Sequence, residues 1–98
     1  MTINQMKNET QLTVALEGRL DTTTAPELEA ALKNGLDGVT ELVMDLQELS
    51  YISSAGLRVL LSAQKKMNLQ GGMRVIHVGG DIMEIFDVTG FSEILTIE

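Results

Sequence analysis

Two adjacent hydroxyl groups occupy the junction between two apolar runs, in the segment Y-I-S-S-A-G-L, Tyr51–Leu57. A strand pattern precedes this segment and a helical pattern follows it, so Ser53 and Ser54 fall at a predicted helix N-terminus. A serine there can cap free backbone N–H groups and stabilise the helix by about 1 kcal/mol. It can also act as a nucleophile or accept a phosphoryl group. On local chemistry capping is the favoured interpretation, but one serine is enough for a cap, so the second leaves a further role open.

Nucleophilic catalysis by either serine requires a general base, which is usually a histidine. His77 is the only histidine, and it lies inside the strand pattern M-R-V-I-H-V, Met73–Val78, which predicts that it is buried. The segment also lacks the G-x-S-x-G spacing of a nucleophile elbow. We therefore expect no catalytic residue and no enzyme activity.

Phosphorylation is the second chemistry that suits a hydroxyl in this position. A phosphate carries about −1.5 to −2 charges, and the unpaired N–H groups and dipole of a helix N-terminus favour it. The fold would tolerate the modification, whereas an acidic or apolar partner surface facing it would not. Ala55 and Gly56 are small, and we expect them to leave the first turn open to a partner.

Strand and helix signals alternate along the chain in the order β-β-α-β-α-β-α. This order predicts a single α/β domain over residues 1–98, with a mixed sheet of four to five strands and helices packed on it. Right-handed crossovers make the later strands parallel. The mostly apolar central strand, residues 40–46, is predicted to be covered on both faces. The predicted strands are 1–6, 11–17, 40–46 and 73–78, with a possible fifth over 94–97.

The first helix has a clear start signal. Thr24 and Glu27 have the spacing of a capping box, in which each side chain bonds the backbone N–H of the other. Pro26 is compatible with the first turn, because the missing N–H has no helical partner there. A helix is therefore predicted to begin at this point and to end near Asn34-Gly35.

Composition and charge exclude several classes of function. The chain has 98 residues, 44% of them hydrophobic, no cysteine and a formal charge of −7. Acidity disfavours nucleic acid and anionic lipid, and the three aromatic residues are too few to form stacking platforms for bases. We expect no metal site, no cofactor, no direct membrane contact and no signal peptide. A cytoplasmic protein is the default expectation.

Four blocks of sequence resemble STAS domains, specifically bacterial anti-sigma factor antagonists. The main block is D-L-Q-E-L-S-Y-I-S-S-A-G-L-R-V-L-L, Asp45–Leu61, and the second is G-R-L-D-T-T-T-A-P-E-L, Gly18–Leu28. Gly71-Gly72 before a strand and I-F-D-V-T-G-F, Ile85–Phe91, also fit. Together, in this order and separation, the blocks cover nearly the whole chain.

The resemblance implies a partner-switching role in the control of transcription. The unmodified antagonist binds an anti-sigma factor, itself a serine kinase, and thereby frees a sigma factor. Phosphorylation of the antagonist ends the binding, and a PP2C-type phosphatase reverses the modification. By position the acceptor is Ser54, with Ser53 as a less favoured rival. Many members carry Asp where this chain has Ser53, and Ser or Thr where it has Ala55.

The same resemblance implies a partner-facing surface around the acceptor. Asp21 and Thr22 join it from the loop before the first helix, although Asp21 can equally be a solvated loop carboxylate. Arg58, one turn after Ser54, can be a partner contact, a local counter-charge or a plain surface residue. The expected partner-binding residues are Asp21, Thr22, Ser53, Ser54, Ala55, Gly56, Leu57 and Arg58.

The alternative function is that of a non-switching STAS subunit of a lipid or anion transporter. A free-standing chain with an intact Ser54 favours the phosphorylated regulator. We expect a monomer or weak dimer, because exposed edge strands can pair with each other.

Overall fold

The chain alternates strands and helices in the predicted order, and a computed structural model describes residues 1–98. The strands are β1 (Thr2–Asn8), β2 (Gln11–Leu20), β3 (Glu41–Ile52) and β4 (Gly72–Ile76). The helices are α1 (Ala25–Gly35), α2 (Ser54–Gln70) and α3 (Gly80–Thr89), and a single 3-10 turn follows at Phe91–Glu93.

The four strands form one mixed sheet in the order β1-β2-β3-β4. β1 is antiparallel to β2, whereas β2, β3 and β4 run parallel to one another. The prediction of a mixed sheet with parallel later strands is therefore confirmed. Because β2 and β3 end at the same edge, Leu20 pairs with Ile52. This pairing brings the loop after β2 next to the start of α2.

The possible fifth strand is reduced to a single bridge at the free edge of β4. Ile97 forms an isolated parallel bridge with Val75. The Val75 N–H donates to the Thr96 carbonyl at 2.8 Å, and the Glu98 N–H donates to the Val75 carbonyl at 2.9 Å. The C-terminal tail thus covers part of an edge that would otherwise be exposed.

One face of the sheet carries the core of 24 buried residues. Most of them come from β2, β3, β4 and the three helices, and Leu36, Val39 and Leu95 come from the connecting and tail segments. Leu42, Met44 and Leu46 of β3 point into it. Val43 is buried but stands outside that core, as expected from alternation on a strand. On this opposite face of β3, Val43 is 3% exposed and Glu41 and Asp45 are half-buried. The predicted covering of residues 40–46 on both faces is therefore met at Val43 and only in part beside it.

β3 contains two extra residues relative to β2 near their common end. The pairing register shifts between Ala15 and Glu17 and again between Gly18 and Arg19. At the second shift the Ser50 hydroxyl donates to the Gly18 carbonyl at 2.9 Å. Such bulges bend a strand and re-aim its side chains, which commonly happens beside functional sites.

The turn between α2 and β4 requires glycine at position 71. A Cβ built on Gly71 would lie 1.8 Å from the Thr40 carbonyl oxygen, closer than any non-bonded contact allows. The Gly72 N–H donates to the same oxygen at 3.0 Å. This hydrogen bond holds the backbone of Gly71-Gly72 against that of Thr40, so neither segment can move away without breaking it.

The Gly71→Ala variant should therefore be less stable than the wild type. We expect a loss of about 1–3 kcal/mol in the free energy of unfolding, the usual range for overpacking, measured by urea titration. Gly72→Ala is the matched control, since a Cβ there meets nothing within 4 Å. It should change stability by no more than about 0.5 kcal/mol. Equal losses in the two variants would contradict this explanation.

Candidate functional site

Ser53 connects the end of β3 to the start of α2 and caps the helix. Its backbone is extended, with φ −98° and ψ 175°, and its hydroxyl accepts a hydrogen bond from the Gly56 N–H at 3.3 Å. The Ser53 N–H donates to the Leu20 carbonyl at 2.9 Å, which prolongs the sheet by one residue. The Ser53 side chain is half-buried and is already used by the fold.

Ser54 is the first residue of α2, and its environment differs from that of its neighbour. Its side chain is exposed. Its hydroxyl makes none of the side-chain hydrogen bonds found in the chain, so it is free to react or to bind. The first intrahelical bond runs from the Leu57 N–H to the Ser53 carbonyl. The N–H groups of Ser54 and Ala55 therefore have no helical acceptor, as is usual at a helix N-terminus.

Position 56 requires glycine, because the side chains of Leu20 and Ile52 lie directly beneath it. A Cβ on Gly56 would lie 2.7 Å from Leu20 Cγ and 3.0 Å from Ile52 Cγ1. Gly56 is buried, and Leu57 is buried in the core at 6% exposure. These two residues fix the position of the helix, whereas partner access at its first turn depends on Ser54 and the half-buried Ala55.

The loop between β2 and α1 is organised by Asp21. Its Oδ1 accepts from the Thr24 N–H at 3.1 Å and from the Thr23 N–H at 3.0 Å. The bond from the Thr24 N–H is the largest cause that lowers the pKa of Asp21 below its ordinary 3.8. Burial is the second-largest effect and raises the pKa, but the Thr23 N–H, the Thr24 hydroxyl and the charge of Arg19 add to the lowering, so the net shift is downward. The carboxylate thus holds the loop in shape, and it is more than a solvated charge.

The predicted capping box between Thr24 and Glu27 is wrong. The Thr24 hydroxyl accepts from the Asp21 N–H at 2.8 Å and donates to the Arg19 carbonyl at 2.7 Å, so it makes no bond to the helix. Thr24 has helical backbone angles, φ −95° and ψ −19°. A capping residue normally has an extended backbone, which directs its hydroxyl at the N–H groups ahead.

A stacked pair beside this loop was not expected from the sequence. The guanidinium carbon of Arg19 lies 4.2 Å from the ring centroid of Tyr51. Arg19 Nε is also 3.7 Å from Asp21 Oδ2. The pair forms because the second register shift sets Arg19 opposite Tyr51, and no short-range sequence signal reveals such a shift. The result is a chain of contacts from Tyr51 to the loop that carries Thr22.

His77 is exposed, so the prediction that it is buried is wrong. β4 ends at Ile76, and His77 takes a left-handed backbone conformation with φ 56° that turns the chain toward α3. Its Nδ1 lies 3.0 Å from Asp45 Oδ1, and its side chain is 56% exposed. No hydrogen bond links His77 to Ser53 or Ser54, so the pair His77–Asp45 is not arranged to activate either serine.

The structure brings all eight predicted partner-binding residues to one end of the molecule. Thr22, Ser54 and Arg58 are exposed there, Asp21, Ser53 and Ala55 are half-buried, and Gly56 and Leu57 support them from below. No group of three or more His, Cys, Asp or Glu side chains is placed to hold a metal ion. None of the three helices has both the length and the apolar character needed to cross a lipid bilayer.

The STAS domain family matches residues 2–98, so the chain belongs to that family and the predicted resemblance is confirmed. BtrV from Bordetella bronchiseptica, provisionally named an anti-sigma factor antagonist, is 34% identical over 99% of this chain and 85% of its own length. The anti-sigma-B factor antagonist of Bacillus subtilis is 28% identical over 97% of this chain and 88% of its own length.

A solved structure agrees with the same assignment. The crystal structure of an anti-sigma factor antagonist from Mycobacterium paratuberculosis superimposes with a TM-score of 0.88 at 26% identity. The match covers 98% of this chain and 83% of the other. Fold and family are therefore shared along almost the full length of the chain.

The two serines should respond differently to removal of the hydroxyl. Ser53→Ala removes the helix cap and should lower the free energy of unfolding by about 1 kcal/mol. Ser54→Ala should change it by no more than about 0.5 kcal/mol, because the hydroxyl is exposed and unbonded. Urea unfolding followed by circular dichroism measures both. Equal effects would show that the cap is not Ser53.

Asp21 should contribute to stability in a pH-dependent way. Its pKa is lower in the folded chain than the ordinary 3.8, so its contribution is present above that value. The contribution is lost as the pH falls below 3.8 and through the lower folded pKa. The stability difference between the wild type and Asp21→Asn should therefore shrink in acid.

Urea titrations from about pH 6 down to about pH 2.5 cover this range. Asp37→Asn is the control, because it removes an exposed carboxylate that accepts no side-chain hydrogen bond within the chain. A difference between wild type and Asp21→Asn that stays constant with pH would argue against the role of Asp21.

Proposed function

We propose that this chain is an anti-sigma factor antagonist that works by partner switching. Its unphosphorylated form binds an anti-sigma factor with serine kinase activity, and this binding releases a sigma factor. Phosphorylation of Ser54 by that kinase ends the binding, and a PP2C-type phosphatase restores it. Family membership and the names of the curated relatives support the general role. The details of the switch are supported by the geometry around Ser54.

The observation that carries the proposal is the division between the two serines. Ser53 already bonds the Gly56 N–H and is half-buried, whereas the Ser54 hydroxyl is exposed and has no partner. A kinase can reach Ser54 without unfolding the helix, and its phosphorylation breaks no existing contact. Phosphate is also favoured beside the free N–H groups of a helix N-terminus. The folded chain therefore tolerates both states.

Phosphorylation of Ser54 lowers the affinity for the partner through electrostatics at the interface. A central, desolvated position in an interface accepts two added negative charges only if a counter-ion is present. Without one, the cost is several kcal/mol, and each 1.4 kcal/mol weakens binding tenfold. Release therefore follows from electrostatics at the contact and requires no change of fold in this chain.

The neighbouring residues have defined parts in this proposal. Thr22 and Arg58 are exposed on either side of the first turn of α2 and are contacts for the partner. Asp21 holds the loop that presents Thr22 through its bonds to two backbone N–H groups. Gly56 and Leu57 keep the helix close to the sheet. The chain itself performs no catalysis, because neither serine has a base.

Intact-mass analysis tests the switch directly. The wild type, incubated with its cognate anti-sigma factor kinase and ATP, should gain the mass of one phosphoryl group (net HPO3), with release of ADP. Ser54→Ala should gain none and Ser53→Ala should still be modified. Phosphate uptake by Ser54→Ala equal to that of the wild type would reject Ser54 as the acceptor.

Binding measurements by calorimetry complete the test. Ser54→Ala should bind the anti-sigma factor as tightly as the wild type, because the hydroxyl makes no contact within the fold. The phosphorylated chain should bind at least 100-fold more weakly, about 2.8 kcal/mol. Ser54→Glu should be weakened about tenfold, since it supplies one charge where the phosphate supplies about two. Undiminished binding of the phosphorylated form would contradict partner switching.

A further inference from the structure

A groove runs between α1 and α2 on the helical side of the molecule. Both helices start at the edge of the sheet where β2 and β3 end, and they lie side by side. A hollow of about 200 Å³ opens between them. Its apolar floor is formed by Leu32, Leu36, Val59 and Ala63. The polar walls are Glu29 and Lys33 from α1, and Ser62 and Lys66 from α2.

The groove is continuous with the surface around Ser54. A second hollow shares Glu29, Val59 and Ser62 with the first and extends toward the helix N-termini. There it is lined by Ala55, the residue that follows Ser54, and by Arg58, together with Thr22, Ala25 and Pro26. A macromolecule that covers Ser54 can therefore continue along the groove without leaving the surface of this chain.

The groove concentrates positive charge on an acidic protein. The chain has seven Lys and Arg residues against fourteen Asp and Glu. Arg19 and Arg74 have carboxylates within 4 Å, and the other five have none. Three of these five cations, Lys33, Arg58 and Lys66, line the two hollows, where Glu29 is the only acidic residue.

We infer that the groove binds an acidic amphipathic segment of the same anti-sigma factor that contacts Ser54. This inference rests on the proposed function and adds a second point of attachment to it. The apolar side chains of the segment pack on Leu32, Val59 and Ala63, and its carboxylates pair with Lys33 and Lys66. Helix-in-groove contacts of this kind are a common mode of peptide recognition.

The charges and the apolar floor contribute in different ways. Exposed ion pairs add little to affinity individually, but complementary charge speeds association and fixes the register of the partner. Burial of apolar side chains on the floor supplies the main attraction. Binding should therefore depend on salt, and it should depend on the open volume of the groove.

Charge reversal within the groove is the primary test. The double variant Lys33→Glu/Lys66→Glu should bind the anti-sigma factor at least tenfold more weakly than the wild type at low salt. Most of the loss should appear in the association rate, and the affinity should depend less on NaCl concentration. Surface plasmon resonance at two or more salt concentrations measures both quantities.

The matched control is Lys7→Glu/Lys65→Glu. It changes the net charge by the same amount at two exposed, unpaired lysines, and Lys65 is the immediate neighbour of Lys66 but lies outside the groove. We expect less than a threefold change in affinity. An equal loss in both double variants would mean that net charge alone acts, and it would overturn the assignment of the groove.

A steric variant tests the groove without changing charge. Ser62 is exposed and lines both hollows, so Ser62→Trp fills the groove from its wall and should weaken binding at least tenfold. Lys65→Trp places the same bulk on α2 outside the groove and should have little effect. Circular dichroism and urea titration establish that each variant is folded before binding is measured.

The outcomes separate this inference from the proposed function. If the anti-sigma factor binds the wild type and all groove variants alike, the groove inference is overturned and the antagonist function stands. If the anti-sigma factor does not bind the wild type, both fail. Weaker binding confined to Lys33→Glu/Lys66→Glu and Ser62→Trp, with phosphorylation of Ser54 by the kinase slowed in parallel, supports the groove as the second attachment point.

Discussion

The first turn of α2 packs so closely on the ends of β2 and β3 that the other features of the site follow from it. Gly56 lies where a Cβ would be 2.7 Å from Leu20 Cγ, and Leu57 enters the core beside it. With these two residues directed inward, helical periodicity directs Ser54 and Arg58 together toward solvent, since residues at i and i+4 share a face. The exposure of Ser54 is thus a consequence of an apolar contact on the opposite side of the helix.

In the proposed function Ser54 exists with and without a phosphate, and the same packing explains why the fold stays the same in both forms. The cap of α2 is made by Ser53, so the helix does not depend on the hydroxyl of Ser54. In the proposed function, a phosphate on Ser54 stands one turn from Arg58, at the mouth of a groove whose other cations are Lys33 and Lys66. It therefore offsets the local positive charge that an acidic partner segment would use. In the two proposals together, phosphorylation of Ser54 and binding in the groove act on the same local positive charge.

Sequence reasoning was accurate where short-range chemistry decides the structure. The strand over residues 11–17, the helix that ends near Asn34-Gly35 and the position of Ser53 and Ser54 at a helix start were predicted from local patterns, and the structure agrees with them. The capping box predicted at Thr24 was wrong, because its hydroxyl can bond the Arg19 carbonyl five residues back as well as the N–H groups of the helix ahead. The conformation of the loop decides between these partners. Sequence reasoning was also wrong for His77, because β-propensity does not reveal where a strand stops when the next turn takes a positive φ.

By itself the sequence determined the order of strands and helices, the mixed sheet and the family, because these depend on periodicity and on motifs that neighbouring residues form. Tertiary structure alone decided which serine caps and which is free, since both have the right chemistry and only the rotation of α2 against Leu20 distinguishes them. It also decided the stacking of Arg19 on Tyr51 and the meeting of Lys33 with Lys66 across one groove. These residues are far apart in the chain or offset by a bulge, and only the packing of parallel elements brings them together.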